Sequence, residues 1–299
     1  MARIVCLGEG MLELSQEGEG WCMGFGGDTL NTAVHLARAG HDVAYMTALG
    51  SCPFSMDLRA SWQSEGIDCG LIVTHPSRRP GLYAITVDGQ GERTFTYWRE
   101  ASAARAMFEV PEIDDAIGGA ETADLFYFSL ISLAILPPQG RQDLLRLAAK
   151  VRINGGLVAF DGNYRPSLWE TPEAAARWRD RAIAASDAGL PTLEDEAALG
   201  GPGTAEAVAA HWQELGCREV IVKKGAQGCL LPDLTVCPPP RVLQPTDTSG
   251  AGDAFNGGYL GARLKGAPVA EAARAGNALA GWCVMRRGAI PARDAAAPY

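Results

Sequence analysis

Short apolar runs alternate with amphipathic stretches through most of this chain, and that alternation limits the fold more than any other feature. Strands are expected at Leu125–Leu130, Leu157–Asp161 and Glu219–Lys223, with helices at Gln139–Arg152, Pro172–Ser186 and Ala205–Leu215. The first half opens the same way. Arg3 to Leu7 reads as a buried strand ending at Gly8-Glu9-Gly10, Asp42 to Leu49 as another, and Pro53 to Glu65 as a helix begun by proline. Strands joined through helices must run parallel and be covered on both sides. The expected fold is therefore α/β: a doubly wound, mainly parallel sheet with helices on both faces and ligands at the C-terminal ends of the strands.

Two stretches break the alternation. Met11-Leu12-Glu13-Leu14 and Trp21-Cys22-Met23-Gly24-Phe25 flank a polar, Gly-rich turn. Gly81 to Val87 and Arg93 to Trp98 alternate in polarity on either side of Asp88-Gly89-Gln90-Gly91. Both read as antiparallel hairpins. They are expected to form a small β-sheet lid, inserted at about 11–25 and 80–100 in one domain spanning 1–299.

With 299 residues, 47% of them apolar, the chain has ample core for such a fold, and its net charge of −9 argues against nucleic acid or an anionic membrane as partner. Eight cysteines contain no Cys-x-x-Cys pair and the four histidines are scattered, so no metal site is indicated. Reduced thiols, a strand at the N-terminus in place of a signal peptide, and no apolar run near the ~20 residues of a membrane span together point to the cytoplasm.

The chemistry concentrates in Asp247-Thr248-Ser249-Gly250-Ala251-Gly252-Asp253-Ala254-Phe255. Two glycines around an alanine leave a bare backbone whose N–H groups can face an anion. A helix is expected from Ala254 to Leu264, with Phe255, Tyr259 and Leu260 on its buried side and its first turn aimed at the same concavity. Asp253 has two readings at this point: an ordinary N-cap, or a base that takes a proton from a hydroxyl while the amides hold a phosphoryl group. A second Gly-rich start lies at Gly26-Gly27-Asp28, followed by Thr29 to Ala39. There Asp28 is the expected N-cap, Leu30, Val34 and Ala37 the apolar face, and Gly40 the C-cap. No Gly-Lys pair exists, which removes a Walker loop. Glu13 and Phe255 stand where a dinucleotide fingerprint needs its third glycine, which weakens an NAD-dependent oxidoreductase.

Asp-Thr-x-Gly-Ala-Gly-Asp-x-Phe resembles the second signature of the ribokinase-like (PfkB) carbohydrate kinases. Gly26-Gly27-Asp28-Thr29-Leu30-Asn31-Thr32-Ala33 is similar to the first. The resemblance extends over nearly the whole chain. It implies Asp253 as catalytic base, Gly250, Ala251 and Gly252 as anion hole, and Gly26, Gly27, Asp28 and Asn31 at the sugar. Val222-Lys223-Lys224-Gly225-Ala226-Gln227-Gly228 resembles the family's nucleotide loop, which implies Lys223, Gly225, Gly228, Gly250 and Gly252 at ATP, joined by Asn163, Arg165 and Asn277.

Within the family, Pro80-Gly81-Leu82-Tyr83, Gly91 to Arg99, Ile131 to Leu136, Asp161-Gly162-Asn163-Tyr164-Arg165-Pro166 and Arg287-Gly288-Ala289-Ile290 are most similar to the 2-keto-3-deoxygluconate kinases. That resemblance implies transfer of the ATP γ-phosphoryl group to the C6 hydroxyl of a sugar acid. Tyr83 and Tyr97 would cover the sugar, and Arg99 and Arg165 would take its carboxylate, a task suited to the guanidinium fork. It also implies Mg2+, leaves a monovalent cation open, and suggests a homo-oligomer formed through the lid. Pro191-Thr192-Leu193-Glu194-Asp195-Glu196 departs from the family's Asn-x-x-Glu. No direct protein ligand to magnesium is expected, and Asp195 or Glu196 would act through water. A fructokinase, a 2-keto-3-deoxygalactonate kinase or a non-catalytic sugar-acid sensor would share much of this pattern.

Overall fold

The computed structural model describes residues 2–299 other than 19 and 88–92, so the predicted Asp88–Gly91 turn lies outside the described residues. The central sheet has eight strands. Its order runs Glu219–Val220, Ala188–Gly189, Leu157–Asp161, Leu125–Ser129, Arg3–Leu7, Asp42–Leu49 and Ile67–Asp68, and Ile72–Thr74 also pairs with Asp42–Leu49. Every pairing in it is parallel. From Arg3–Leu7 the chain first builds outward through Asp42–Leu49 and later returns to add Leu125–Ser129 on the opposite side. The switch point of the sheet therefore lies beside its first strand, where α/β folds bind ligands.

The side-chain period of two splits each central strand between two cores. Val5, Leu7, Phe126, Phe128 and Phe160 face one layer with Leu144 and Trp212. Ile4, Cys6, Leu125 and Tyr127 face the other with Leu30, Val34, Phe255 and Tyr259. Helices Asp28–Arg38 and Ala251–Leu264 thus pack on the same face, which brings the two Gly-rich motifs together.

The two hairpins form a separate four-stranded sheet in the order Gly20–Gly26, Met11–Glu17, Leu82–Val87, Arg93–Trp98. They join through a parallel pairing of Met11–Glu17 with Leu82–Val87. Met11, Tyr83 and Ile85 pack together beneath it, while Trp21, Met23, Phe95 and Trp98 stay exposed.

Three expectations need correction. The strand expected over Glu219–Lys223 divides at Ile221: Glu219–Val220 completes the main sheet, whereas Val222–Lys223 pairs with Cys229–Leu230 in a small antiparallel sheet. The chain changes partner there, which carries Lys223 inward. The helix expected from Ala254 begins at Ala251 with Gly250 as N-cap, so Asp253 lies inside its first turn and caps nothing. Asp28 likewise is the first helical residue after an N-cap at Gly27, whereas Gly40, at φ +85° just past Ala39, closes the helix as expected. In both helices glycine begins the first turn because no other residue fits. A Cβ on Gly27 would stand 2.2 Å from the Glu9 carbonyl, and one on Gly250, whose φ is +69°, would meet Ala289 at 2.7 Å.

Among the described residues no helix is long and apolar enough to cross a membrane.

Candidate active site

At the C-terminal ends of the central strands a cavity of about 810 Å³ runs from the lid to the small antiparallel sheet. Gly250, Ala251, Gly252 and Asp253 form its middle. No side chain caps the helix that starts here, so the N–H groups of Gly252 and Asp253 have no intrahelical acceptor and face the cavity with the positive end of the dipole. Such an uncapped start can receive an anion.

Asp253 sits in it as a buried carboxyl, with Asn31 Nδ2 donating to its Oδ2 at 2.8 Å. Burial first, then the negative charge of Asp28, push its pKa up to about 8. Asp28 is also raised by burial, and accepts from Asn163 Nδ2 at 3.3 Å. Asn163 therefore stands on the Asp28 side of the cavity.

Beside the helix start lies a network that sequence reasoning missed. Lys223 Nζ donates to Asp161 Oδ1 at 3.0 Å and Asn256 Oδ1 at 3.2 Å. Asn256 Nδ2 in turn donates to Asp161 Oδ2 at 2.8 Å and Tyr127 Oη at 3.0 Å. The ammonium comes within 3.6 Å of where a Cβ on Gly252 would stand. A cation is thus fixed beside the uncapped helix start, its own charge partly met by Asp161.

At the lid end, Tyr83 and Tyr97 pack with ring centroids 5.8 Å apart, and Tyr83 donates its hydroxyl to Glu13. Arg99 lies 5.7 Å from the centre of the Tyr97 ring. It is buried and paired with Glu9, with Nε 2.7 Å from Glu9 Oε2, so it is not a solvated strand-end charge. Glu9, unremarked as a functional residue in the sequence, stands directly after the first strand at the switch point, and that position is the signal for it. Arg165 differs. Its side chain is half exposed, lines the cavity and pairs with Asp195 at 3.2 Å.

Three buried acceptors around this end have no hydrogen-bond partner among the described residues: Glu9 Oε1, Asn31 Oδ1 and Asn163 Oδ1. Leaving such atoms unsatisfied costs roughly 1–3 kcal/mol each. A ligand carrying several hydroxyl donors would relieve that cost.

Of the acids after Thr192, Glu194 and Asp195 line the cavity. Glu196 does not: it is buried against Arg179 Nη1 at 2.8 Å and Trp212 Nε1 at 3.0 Å, which leaves Asp195 from the expected pair. Gly26 also stays outside the cavity wall, backing Tyr83 so closely that a Cβ would stand 2.2 Å from its hydroxyl. The opposite end is built by Gly225, Gly228 and Asn277, with Leu243, Ala280 and Val284 as apolar wall. Gly228 has φ +83° and no room for a side chain against Cys237, and Asn277 Nδ2 donates to the Cys237 carbonyl at 3.1 Å. Among the described residues no three His, Cys, Asp or Glu side chains group as a metal site.

Residues 1–296 match the pfkB family carbohydrate kinase pattern. The chain belongs to the pfkB family. This pfkB kinase is 41% identical to the 2-dehydro-3-deoxygluconokinase of Escherichia coli (strain K12), covering 98% of each chain, and 41% identical to that of Dickeya dadantii (strain 3937), covering 96% of each. Among solved structures it resembles the PfkB protein from Polaromonas sp. JS666 (TM-score 0.83, 27% identity, 94% of this chain and 95% of that one). It also resembles the Salmonella enterica aminoimidazole riboside kinase complexed with aminoimidazole riboside and an ATP analogue (TM-score 0.81, 26% identity, 96% and 95%).

Proposed function

We propose that this kinase transfers the γ-phosphoryl group of ATP to the C6 hydroxyl of 2-keto-3-deoxygluconate, giving 2-keto-3-deoxy-6-phosphogluconate and ADP. The observation that carries the reading is the juxtaposition of a buried carboxyl, Asp253, with the uncapped helix start at Gly252 and Asp253 in one cavity. Phosphoryl transfer to an alcohol needs a base and an anion hole side by side. Asp253 takes the C6 hydroxyl proton, the oxygen attacks the γ-phosphorus, and the bond to the β-phosphate oxygen breaks to release ADP. The first-turn amides and Lys223 receive the charge on the moving group.

The sugar acid belongs at the lid end. Its hydroxyls suit the unpartnered acceptors of Glu9, Asn31 and Asn163, together with Asp28, and Tyr83 and Tyr97 cover it. Arg99, neutralised by Glu9, orients rather than supplies net charge, so the carboxylate falls chiefly to Arg165. The relatives at 41% identity bear the name of this activity. ATP lies over Gly225–Gly228 and Asn277, the end lined by apolar side chains, and a structural relative binds an ATP analogue.

Mg2+, when bound with the nucleotide, would supply positive charge against the phosphates. Glu194 and Asp195 are the cavity acids that fit its water shell, since Asp161 is held by Lys223 and Asn256. A monovalent cation fits by analogy to a Vibrio cholerae fructokinase in a fructose-, ADP- and potassium-bound form, 25% identical. The exposed Trp21, Met23, Phe95 and Trp98 of the lid suit contact with a second copy. The net negative charge and the lack of any Cys-x-x-Cys pair suit the cytoplasm.

Phosphorus–proton NMR of the product tests the position. Coupling of phosphorus to the C6 protons is expected, and coupling at another carbon would remove this reading.

A further inference from the structure

Asp247 opens the Gly-rich stretch, and four pieces of the chain meet on it. Its N–H donates to the Val284 carbonyl at 3.1 Å. Its Oδ1 accepts from the Ser249 N–H at 3.0 Å, and its Oδ2 from the Gly288 N–H at 2.6 Å. The same Oδ2 takes the guanidinium of Arg93, the first residue of the lid strand Arg93–Trp98. The Asp247 side chain is 2% exposed. Burial pulls its carboxyl up, but Arg93 and the two backbone donors outweigh that and leave it below the ordinary carboxylate range.

The geometry has two sides. Gly250 packs on Ala289, the neighbour of Gly288, so Asp247 bonds both walls of the crevice that holds the N-cap of the catalytic helix. The lid strand is meanwhile tied at both ends: through Arg93 to Asp247, and just past its last residue through Arg99 to Glu9. Neither Arg93 nor Asp247 lines the cavity.

We propose that Arg93 is a positioning residue, which through Asp247 fixes the 249–252 turn as an anion hole and makes that geometry depend on the lid. The proposal rests on the kinase reading above. Without Arg93 the buried carboxylate loses its countercharge, and the least costly relief is to turn toward water, releasing the Ser249 and Gly288 N–H groups. A lid strand drawn down over the acceptor then completes the site, and a lid strand away from it leaves the turn relaxed, so that the phosphoryl group of bound ATP is not transferred to water.

Hydrogen exchange of the ligand-free protein, with kinetics of the same variants, tests this. In Arg93→Met the hydrogen-bonded amides of Ser249, Ala251 and Gly288 should exchange about tenfold faster or more, while those of the central strand Leu125–Ser129 stay unchanged. Arg93→Lys should recover most of the difference. Turnover of Arg93→Met should fall roughly 10–100-fold with KM for ATP changed less than about threefold, and adding Asp247→Asn should cost little more. Wild-type behaviour in either readout, or a uniform rise of exchange across the sheet, overturns the proposal. The exchange arm uses no acceptor. If 2-keto-3-deoxygluconate is not phosphorylated while these amides loosen as stated, the sugar-acid reading fails and the Arg93–Asp247 link stands.

Discussion

Asn31 Nδ2 donates to Asp253 Oδ2 at 2.8 Å, joining two helix starts that are 222 residues apart in sequence. One carboxylate oxygen of the proposed base is thereby held, and the other is left for the substrate. Replacing Asp253 by Asn keeps size and shape but removes the proton acceptor. Asp253→Asn should bind ATP as the parent does and lose at least about a thousandfold in kcat. Nucleotide titration and steady-state turnover check the two halves separately.

The same carboxyl sets a pH dependence. Its folded pKa of about 8 lies above the ordinary 3.8, so the native state holds the proton more tightly than the unfolded chain. Its favourable contribution to stability is therefore present in full below 3.8 and lost as pH rises through about 8. Asp253→Asn should raise the melting temperature at pH 9 by more than at pH 5. Activity runs the other way, because the base must be deprotonated: kcat/KM should climb with pH through about 8. Asp28→Asn, which removes the neighbouring charge, should move that limb to lower pH.

Glu9 and Arg99 form a buried ion pair across 90 residues of sequence. Breaking such a pair from one side strands a charge in the interior. Glu9→Ala and Arg99→Ala should each destabilise by about 3–5 kcal/mol, and the double variant by clearly less than the sum. Urea unfolding of the three proteins measures it.

Arg165 is half exposed and bonds only its neighbour's carbonyl, at Tyr164, and Asp195 among the described residues, so its loss should spare the fold. Arg165→Ala should raise KM for 2-keto-3-deoxygluconate roughly 10–100-fold while leaving KM for ATP within about threefold. An unchanged acceptor KM would show that the carboxylate is held elsewhere.

What could be read from sequence was what local pattern controls. The strands at 42–49 and 157–161 fall where alternation and burial put them, and the lid hairpins follow from their own periodicity. The motif glycines were legible because backbone geometry demands them at Gly27, Gly228 and Gly250. The pairs that tune the site were not. Lys223 meets Asp161 across 62 residues, Asn256 meets Asp161 across 95, and Arg99 meets Glu9 across 90. Which strand ends become neighbours is set by sheet order, and no local spacing records it. Glu196 illustrates the reverse: its place beside Asp195 suggested a shared role, but the helical turn sends it to Arg179 and Trp212.

The most direct test is ADP release with ATP and Mg2+ across 2-keto-3-deoxygluconate, its galactonate epimer, gluconate, fructose, ribose and no acceptor. Turnover with 2-keto-3-deoxygluconate at least about a hundredfold above fructose, ribose and the acceptor-free rate is the predicted result. Turnover with fructose or ribose instead, or with none of the acceptors, would contradict it.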